Sequence, residues 1–208
     1  MKVIFLGDSI TEGIGASSPE TKYVSVAEKL LGCEIRNYGI SGTRIARQRI
    51  AKDTRTHDWD YVARAEIMDK DADMVFVFGG TNDCGHGNAT LGALDSYDVY
   101  TFSGAMNLLT DSLLKTYGRE KLCFLLPLRR FDERHPDTDI TLLDYVNIMK
   151  SILDKKEIPY IDLYENGMPR PVSYESDKYF ADGLHPNDFG HNWLGERVAS
   201  YVREHVKK

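Results

Sequence analysis

Two short polar stretches near opposite ends of the chain contain residue types that together could perform nucleophilic catalysis. Near the start, an apolar run from Val3 ends at Gly7-Asp8-Ser9. Near the end, Asp182 precedes His185 by three residues. In a loop, an acid at this spacing can accept a hydrogen bond from Nδ1–H of the histidine, which leaves Nε2 free as a base. A serine hydroxyl needs such a base to attack a carbonyl carbon. We therefore expect Ser9 and His185 to meet in the folded protein.

Small and polar residues also follow the second and third predicted strands, at residues 37–42 and 79–83. Ligands of open α/β sheets bind beyond the carboxyl ends of the strands. For any one of these turns, a purely structural role of the glycines is the simplest interpretation. Three successive strand ends with a hydroxyl, an amide and glycines instead predict a functional site at this edge.

Short apolar runs alternate with helical patterns along the whole chain. The runs predict five strands, at residues 2–6, 33–38, 74–78, 122–126 and 158–163. The helical patterns cover residues 18–31, 43–51, 58–70, 105–117, 142–153 and 194–206. Continuous apolar strands between helices predict an α/β fold with a doubly wound parallel sheet covered on both faces. Without repeats or linkers, residues 1–208 are expected to form one domain.

Composition excludes several classes of protein. The 208 residues have a formal net charge of −6, which argues against nucleic-acid binding as the main activity. No apolar stretch approaches the length of a membrane span, and Asp8 interrupts the first apolar run too early for a signal peptide. Cys33, Cys84 and Cys123 are widely spaced and fit neither a disulfide framework nor a zinc site. We therefore expect a cytoplasmic protein.

Four sequence blocks in the same order carry a family resemblance, and they span residues 7–186. They are Gly7-Asp8-Ser9-Ile10, Asn37-Tyr38-Gly39-Ile40-Ser41-Gly42, Gly79-Gly80-Thr81-Asn82-Asp83 and Asp182-Gly183-Leu184-His185-Pro186. Each block is short and weak by itself, but the set resembles the GDSL, or SGNH, hydrolases. The resemblance implies a three-layer α/β/α fold with the flavodoxin-like strand order 2-1-3-4-5. It implies a serine esterase with Ser9 as nucleophile, His185 as general base and acid, and Asp182 as the residue that orients the histidine.

The resemblance also implies an oxyanion hole. Its donors would be the backbone N–H groups of Ser9 and Gly42 and the side-chain amide of Asn82. Gly39 is a second candidate for the glycine position. Such donors stabilise the charge that develops on the carbonyl oxygen during attack.

Other acidic residues and possible metal-binding residues near these blocks have simpler interpretations. Asp8 adjoins Ser9, but neighbouring residues of an extended strand point in opposite directions, so we expect Asp8 to hold the turn. We expect Asp83 to steady the asparagine loop. Cys84 and His86 lack a complementary ligand cluster, so no metal is expected. The sequence also lacks a complete dinucleotide or Walker motif, and we expect no cofactor.

Two irregular segments, at residues 84–101 and 129–140, are expected to determine the substrate. Neither resembles a long apolar lid, which disfavours a lipase of bulk lipid. We expect a small soluble ester, for which an acetylated sugar is one candidate. His57 is expected to be exposed. The candidate substrate-binding residues are His86, Tyr97, Arg129 and His135.

Two alternatives remain open at this stage. The same scaffold could be a noncatalytic, flavodoxin-like binding module. The same acyl-enzyme could also support an acyltransferase or a thioesterase, because another nucleophile can capture it. The small-molecule ester is the only partner that the sequence predicts, and the oligomeric state is left open.

Overall fold

The computed structural model describes residues 1–50 and 59–206, so the exposed position expected for His57 lies outside the described residues. Five parallel strands form one sheet in the order β2-β1-β3-β4-β5. This arrangement confirms the predicted fold class and strand order. The strands are β1 (Lys2–Gly7), β2 (Glu34–Gly39), β3 (Met74–Phe78), β4 (Leu122–Leu125) and β5 (Tyr160–Ile161).

Helices connect the strands and cover both faces of the sheet. They are α1 (Ser9–Glu12), α2 (Tyr23–Leu31), α3 (Tyr61–Glu66), α4 (Thr81–His86), α5 (Phe102–Tyr117), α6 (Leu142–Lys155), α7 (Leu163–Asn166) and α8 (Asp188–His205). Short 3-10 turns at Pro19–Thr21 and Arg119–Lys121 precede α2 and β4. Among the residues that the structure describes, no helix combines the length and apolar character needed to cross a membrane.

The prediction of a helix at residues 43–51 is wrong over the described part, because residues 43–50 form bends and irregular backbone. The backbone N–H groups of Ile45 and Ala46 donate to the Asp83 carboxylate across 3.0 and 2.9 Å. A helix would direct these donors to carbonyl oxygens of the preceding turn. The carboxylate of a distant residue therefore replaces the local hydrogen bonds that helix formation would need.

The alternation of side chains along β1 and β3 divides the core into two layers. Ile4, Leu6, Val75 and Val77 pack on one face with α3, α5 and α6. Val3, Phe5, Met74 and Phe76 pack on the other face with α2 and α8. All eight side chains are buried, as expected for parallel strands covered on both faces.

The register of the sheet places three strand ends at one level. Gly7 at the end of β1 pairs with Gly39 of β2 and with Phe78 of β3. The segments that follow these strands therefore leave the sheet side by side. They carry the serine, glycine and asparagine blocks of the sequence.

Candidate active site

Ser9 lies at the first position of α1, directly after the turn that ends β1. The Asp8 side chain caps this helix, because its Oδ1 accepts from the Ile10 N–H across 3.0 Å. A side chain at Gly7 would collide with Thr11, whose Oγ1 would lie 1.9 Å from an added Cβ. The strand can therefore turn into the helix at this distance only with glycine at position 7. The turn leaves the Ser9 side chain 6% exposed at the carboxyl edge of the sheet.

His185 lies in a tight loop that Asp182 organises from within. Asp182 Oδ1 accepts from the backbone N–H groups of Leu184 and His185, across 3.1 and 2.7 Å. Helix α8 begins directly afterwards, where the Asn187 side chain accepts from the N–H groups of Phe189 and Gly190. The hydrogen bonds of the loop and of the helix cap join residues only two or three positions apart. These local bonds fix the backbone on both sides of the His185 imidazole.

The loop and the turn bring a serine, a histidine and an aspartate into one hydrogen-bonded line. His185 Nδ1 lies 2.7 Å from Asp182 Oδ2, and His185 Nε2 lies 3.0 Å from Ser9 Oγ. Because a carboxylate accepts only, Nδ1 carries the proton and Nε2 accepts from the serine hydroxyl. Burial raises the pKa of Asp182, but hydrogen bonds from the side chain and backbone of His185 outweigh it and hold the pKa below its ordinary value. The arrangement can move a proton from Ser9 to an imidazole whose cation the carboxylate stabilises.

Backbone N–H groups at the end of β2 and just after it donate to β2 itself, to β1 and to α1. The Gly39 N–H donates to Asn37 Oδ1 across 2.8 Å, and the Ile40 N–H donates to the Gly7 carbonyl oxygen across 3.1 Å. The Ser41 N–H donates to the Glu12 carboxylate across 2.6 Å. Gly42 has a φ of 74°, in the left-handed region that favours glycine. Within residues 1–50 and 59–206, the Gly42 N–H has no hydrogen-bond acceptor.

Asn82 on α4 reaches across to the same segment. Its Nδ2 donates to the Thr43 carbonyl oxygen across 3.0 Å, which places the carboxamide beside the residue that follows Gly42. Its Oδ1 lies 3.2 Å from His86 Nε2. The side chain is 4% exposed. The structure thus collects Ser9, Gly42 and Asn82 at one edge of the sheet, as the register of the three strands requires.

Arg64 is a buried residue at the site that sequence reasoning missed. Its Nη2 donates to the carbonyl oxygens of Gly7 (2.9 Å) and Tyr38, and its Nη1 donates to Thr43 Oγ1 (2.6 Å). It therefore connects the end of β1 with the segment that carries Gly42. The residue is 2% exposed although it is charged. The sequence signal for this burial was the position of Arg64, one helical turn after Tyr61 on the apolar side of a helical pattern.

Two buried carboxyl groups lie beneath the site. Burial raises the pKa of Asp8 to about 7 and that of Asp83 to about 6, against the opposing effect of the backbone N–H groups that they accept. Arg64 is near enough to Asp8 to favour its charged form. Asp83 lies in the first turn of α4 and accepts from the N–H groups of residues 45 and 46. Both acids therefore hold backbone segments of the site, and neither contacts the Ser9 hydroxyl or the imidazole.

The structure does not bring Tyr97 and Arg129 to Ser9. The Tyr97 hydroxyl donates to Asp111 across 3.0 Å, and the ammonium of Lys156 lies 5.9 Å from its ring centroid, so the ring packs on α5 and the end of α6. Arg129 makes two hydrogen bonds of 3.0 Å to Glu133. Sequence spacing placed both on irregular segments, but ion pairs and helix contacts decide where they point.

The two histidines expected to contact substrate have both ring nitrogens engaged by the protein. His86 lies between Arg44 and Asn82. His135 is 5% exposed, with Nε2 2.9 Å from the Gly87 carbonyl oxygen and Nδ1 accepting from the Asp137 N–H. Neither ring has a nitrogen left for a substrate. Among the described residues, no group of three or more histidine, cysteine or carboxylate side chains could hold a metal ion.

Residues that follow β4 border the loop that carries Asp182 and His185. The Phe131 N–H donates to the Gly183 carbonyl oxygen across 2.9 Å. The Phe131 ring packs edge-on against Tyr174, with centroids 4.7 Å apart. Arg130 lies over α4, where its Nη1 donates to the Thr81 carbonyl oxygen across 3.2 Å. An aromatic pair and a guanidinium therefore border the loop that presents His185.

A five-stranded parallel sheet of this order, with serine, histidine and aspartate in contact at its carboxyl edge, is the arrangement of an α/β/α hydrolase. The model of the GDSL-like lipase/acylhydrolase family matches residues 5–193, so the chain belongs to this family. The chain is accordingly an enzyme of the esterase and acylhydrolase type. No curated protein matches it in sequence.

Several crystal structures are similar over their full length. A protein from Lactobacillus plantarum is 24% identical with a TM-score of 0.81, and the match covers 99% of this chain and 98% of that one. A carbohydrate acetylesterase from Sinorhizobium meliloti is 18% identical, with a TM-score of 0.71 and 98% of each chain covered. An aryl esterase from M. smegmatis is 19% identical, with a TM-score of 0.71 and 99% of each chain covered. These structures share the fold.

Proposed function

We propose that the chain hydrolyses small carboxylic esters through an acyl-enzyme on Ser9. His185 takes the hydroxyl proton through Nε2 while Ser9 Oγ attacks the ester carbonyl carbon. The imidazolium, held by Asp182, then gives this proton to the leaving alcohol. Water attacks the acyl-enzyme in the same way, with its proton passing to Nε2 and from there to Ser9 Oγ as the carboxylic acid is released. The contacts of 3.0 Å from Nε2 to Oγ and 2.7 Å from Nδ1 to the carboxylate are the observation that carries the proposal.

The oxyanion formed in each step is assigned to three donors: the N–H of Ser9, the N–H of Gly42 and the Asn82 carboxamide. Gly42 is preferred to Gly39 because the Gly39 N–H already donates to Asn37. The carboxamide of Asn82 has one N–H on Thr43 and a second one for the substrate oxygen. Donors fixed before the charge develops are effective because they need no reorganisation during the reaction.

We propose that the substrate is an O-acetylated carbohydrate, in which the alcohol part of the ester is a sugar. The Phe131–Tyr174 pair borders the His185 loop, and Tyr174 is 63% exposed. The Tyr174 hydroxyl lies 3.5 Å from Asp132 Oδ2, and Arg130 directly precedes Phe131. An exposed aromatic face beside a carboxylate and a guanidinium suits a ring that has both C–H and hydroxyl groups. The structurally similar carbohydrate acetylesterase from Sinorhizobium meliloti is consistent with this choice.

The proposal is tested with a panel of p-nitrophenyl esters and acetylated sugars on the wild type and on Ser9→Ala. We expect hydrolysis of acetyl esters by the wild type and a loss of roughly 10⁴-fold or more in kcat for the variant. Ser25→Ala on α2 is the control and should keep full activity. An unchanged rate in Ser9→Ala would exclude Ser9 as the nucleophile.

The chain-length series and the products test the substrate. We expect rates to fall steeply from acetyl to octanoyl esters, and a preference for long acyl chains would refute the assignment to small acyl groups. Reactions with an added sugar acceptor, analysed by mass spectrometry, distinguish hydrolysis from acyl transfer. Free acetate as the main product supports a hydrolase, whereas an acetylated acceptor as the main product would make the enzyme a transferase.

A further inference from the structure

His86 connects a buried arginine to the carboxamide of Asn82. Arg44 Nη1 lies 2.9 Å from His86 Nδ1, and His86 Nε2 lies 3.2 Å from Asn82 Oδ1. The other end of this carboxamide donates to the Thr43 carbonyl oxygen across 3.0 Å. Arg44 and Asn82 are 3% and 4% exposed, so water competes little for these contacts. The four groups form one line of hydrogen bonds that ends at the segment carrying Gly42.

The donor and acceptor types along this line determine where each proton lies. A guanidinium only donates, so His86 Nδ1 must accept from Arg44. The neutral imidazole then carries its proton on Nε2 and donates it to Asn82 Oδ1. At the far end, the Thr43 carbonyl oxygen only accepts and therefore requires the NH₂ group of the carboxamide. Both ends select the same orientation of Asn82.

We infer that His86 is a positioning residue that holds the Asn82 carboxamide in the orientation needed for oxyanion stabilisation. This inference rests on the proposed function, in which Asn82 is an oxyanion donor. A carboxamide that rotates by half a turn exchanges its oxygen and its NH₂ group, and the two ends are similar in size. The flipped carboxamide would present a carbonyl oxygen to a developing negative charge. His86 opposes this flip because its Nε2–H would then face the NH₂ group, a donor against a donor.

The test compares His86→Phe, which removes the donor, with His86→Gln, whose amide NH₂ can replace Nε2–H. We expect His86→Phe to lower kcat for p-nitrophenyl acetate roughly 10- to 100-fold with little change in KM, less than the roughly 100- to 1000-fold loss for a deleted donor. His86→Gln should recover most of this loss. Asn107→Leu is the control for stability, because Asn107 is a buried amide that binds the Leu94 and Ser96 carbonyl oxygens. It should lower Tm and leave kcat within twofold of the wild type.

A double-mutant cycle with Asn82→Ala separates positioning from a general structural role. If His86 acts through Asn82, the substitution His86→Phe has little further effect on kcat once the carboxamide is absent. The same fold-loss in kcat in both backgrounds would overturn the inference. A kcat within twofold of the wild type in His86→Phe alone would also overturn it.

The tautomer of His86 provides a readout that does not depend on turnover. In ¹⁵N NMR spectra at neutral pH, with the resonances of His86 assigned by their loss in His86→Gln, we expect a neutral ring with the proton on Nε2. An imidazolium, or a proton on Nδ1, would overturn the inference even in a protein with full esterase activity. A wild type that hydrolyses no ester would instead overturn the proposed function, and the tautomer would still decide whether His86 orients Asn82.

Discussion

Nε2 of His185 lies 3.0 Å from Oγ of Ser9, and the opposite nitrogen of the same ring lies 2.7 Å from the Asp182 carboxylate. The contact with Asp182 decides which ring nitrogen carries the proton. A carboxylate beside Nδ1 keeps the proton there, so Nε2 is free to accept from Ser9. Asp182 uses its other oxygen to accept two backbone N–H groups of its own loop. One side chain thus shapes the loop and orients the imidazole.

Asp182→Asn separates these two tasks. The asparagine Oδ1 can still accept the backbone N–H groups of Leu184 and His185, so the loop should persist. Its NH₂ group would face Nδ1 and favour the tautomer with the proton on Nε2, which cannot act as a base. We expect kcat to fall roughly 10³- to 10⁴-fold, as measured by hydrolysis of p-nitrophenyl acetate.

Asp177→Asn is the matched control for Asp182→Asn. Asp177 accepts the backbone N–H groups of Tyr179 and Phe180 with Oδ1, across 2.7 and 2.8 Å, in a similar turn a few residues earlier. This variant should keep wild-type kcat. Equal losses in the two variants would show that loop geometry, and not orientation of the imidazole, accounts for the effect.

Gly42→Ala tests the glycine position of the oxyanion site. At a φ of 74°, alanine should cost about 1–2 kcal/mol of stability. Relief of this strain would move the N–H, and we expect kcat to fall at least about 10-fold, within the loss known for removal of one oxyanion donor.

Gly32→Ala at the end of α2 is the control for Gly42→Ala. Gly32 has a φ of 60°, and an added Cβ would contact nothing within 4 Å, so this variant should lose similar stability and no activity. A kcat that is unchanged in Gly42→Ala would argue for Gly39.

Arg64→Met should destabilise the protein and disturb the site together. The substitution removes the arginine donor from the Tyr38 carbonyl oxygen and the Thr43 hydroxyl, and it leaves the Gly7 carbonyl oxygen with the Ile40 N–H alone. Each buried group left unpaired costs about 1–3 kcal/mol, so we expect a loss of roughly 3 kcal/mol or more in urea unfolding. Arg203→Met, which removes an exposed bond to the Leu30 carbonyl oxygen, should cost less than about 1 kcal/mol. Similar losses in the two variants would contradict the role given to Arg64.

Asp8→Asn tests the pH dependence of stability. The folded protein has a pKa of about 7 for Asp8, above the ordinary value of 3.8, so the folded state binds this proton more tightly than the unfolded chain. The stabilisation from this group is complete below pH 3.8 and is lost as the pH rises to about 7. Between pH 5 and pH 7, we expect the free energy of unfolding of the wild type to fall by roughly 2 kcal/mol relative to Asp8→Asn.

The same variant distinguishes Asp8 from a catalytic acid. Asparagine is also a good helix N-cap, so its Oδ1 can still accept from the Ile10 N–H. We expect kcat at neutral pH to stay within about an order of magnitude of the wild type, in contrast to Asp182→Asn. Parallel stability curves of the wild type and the variant between pH 5 and pH 7 would contradict the raised pKa of Asp8.

Local sequence determined the parts of this protein whose hydrogen bonds close within a few residues. The turn from β1 into α1 depends on Gly7 and Asp8, and the histidine loop depends on Asp182, so both could be predicted from spacing alone. Continuous apolar runs predicted the parallel strands because both faces of such a sheet are buried. The order of the blocks along the chain then indicated the family.

Only the tertiary structure decided the contacts that join distant segments. Ile45 and Ala46 donate to Asp83 and not to a helix, Arg64 inserts between two strand ends, and Tyr97 packs on α5. His86 likewise turns towards Asn82, so both of its nitrogens are occupied. A side chain on an irregular segment takes its direction from the partners that satisfy its polar atoms. Those partners come from other elements, and their positions are not specified until the sheet and helices have packed.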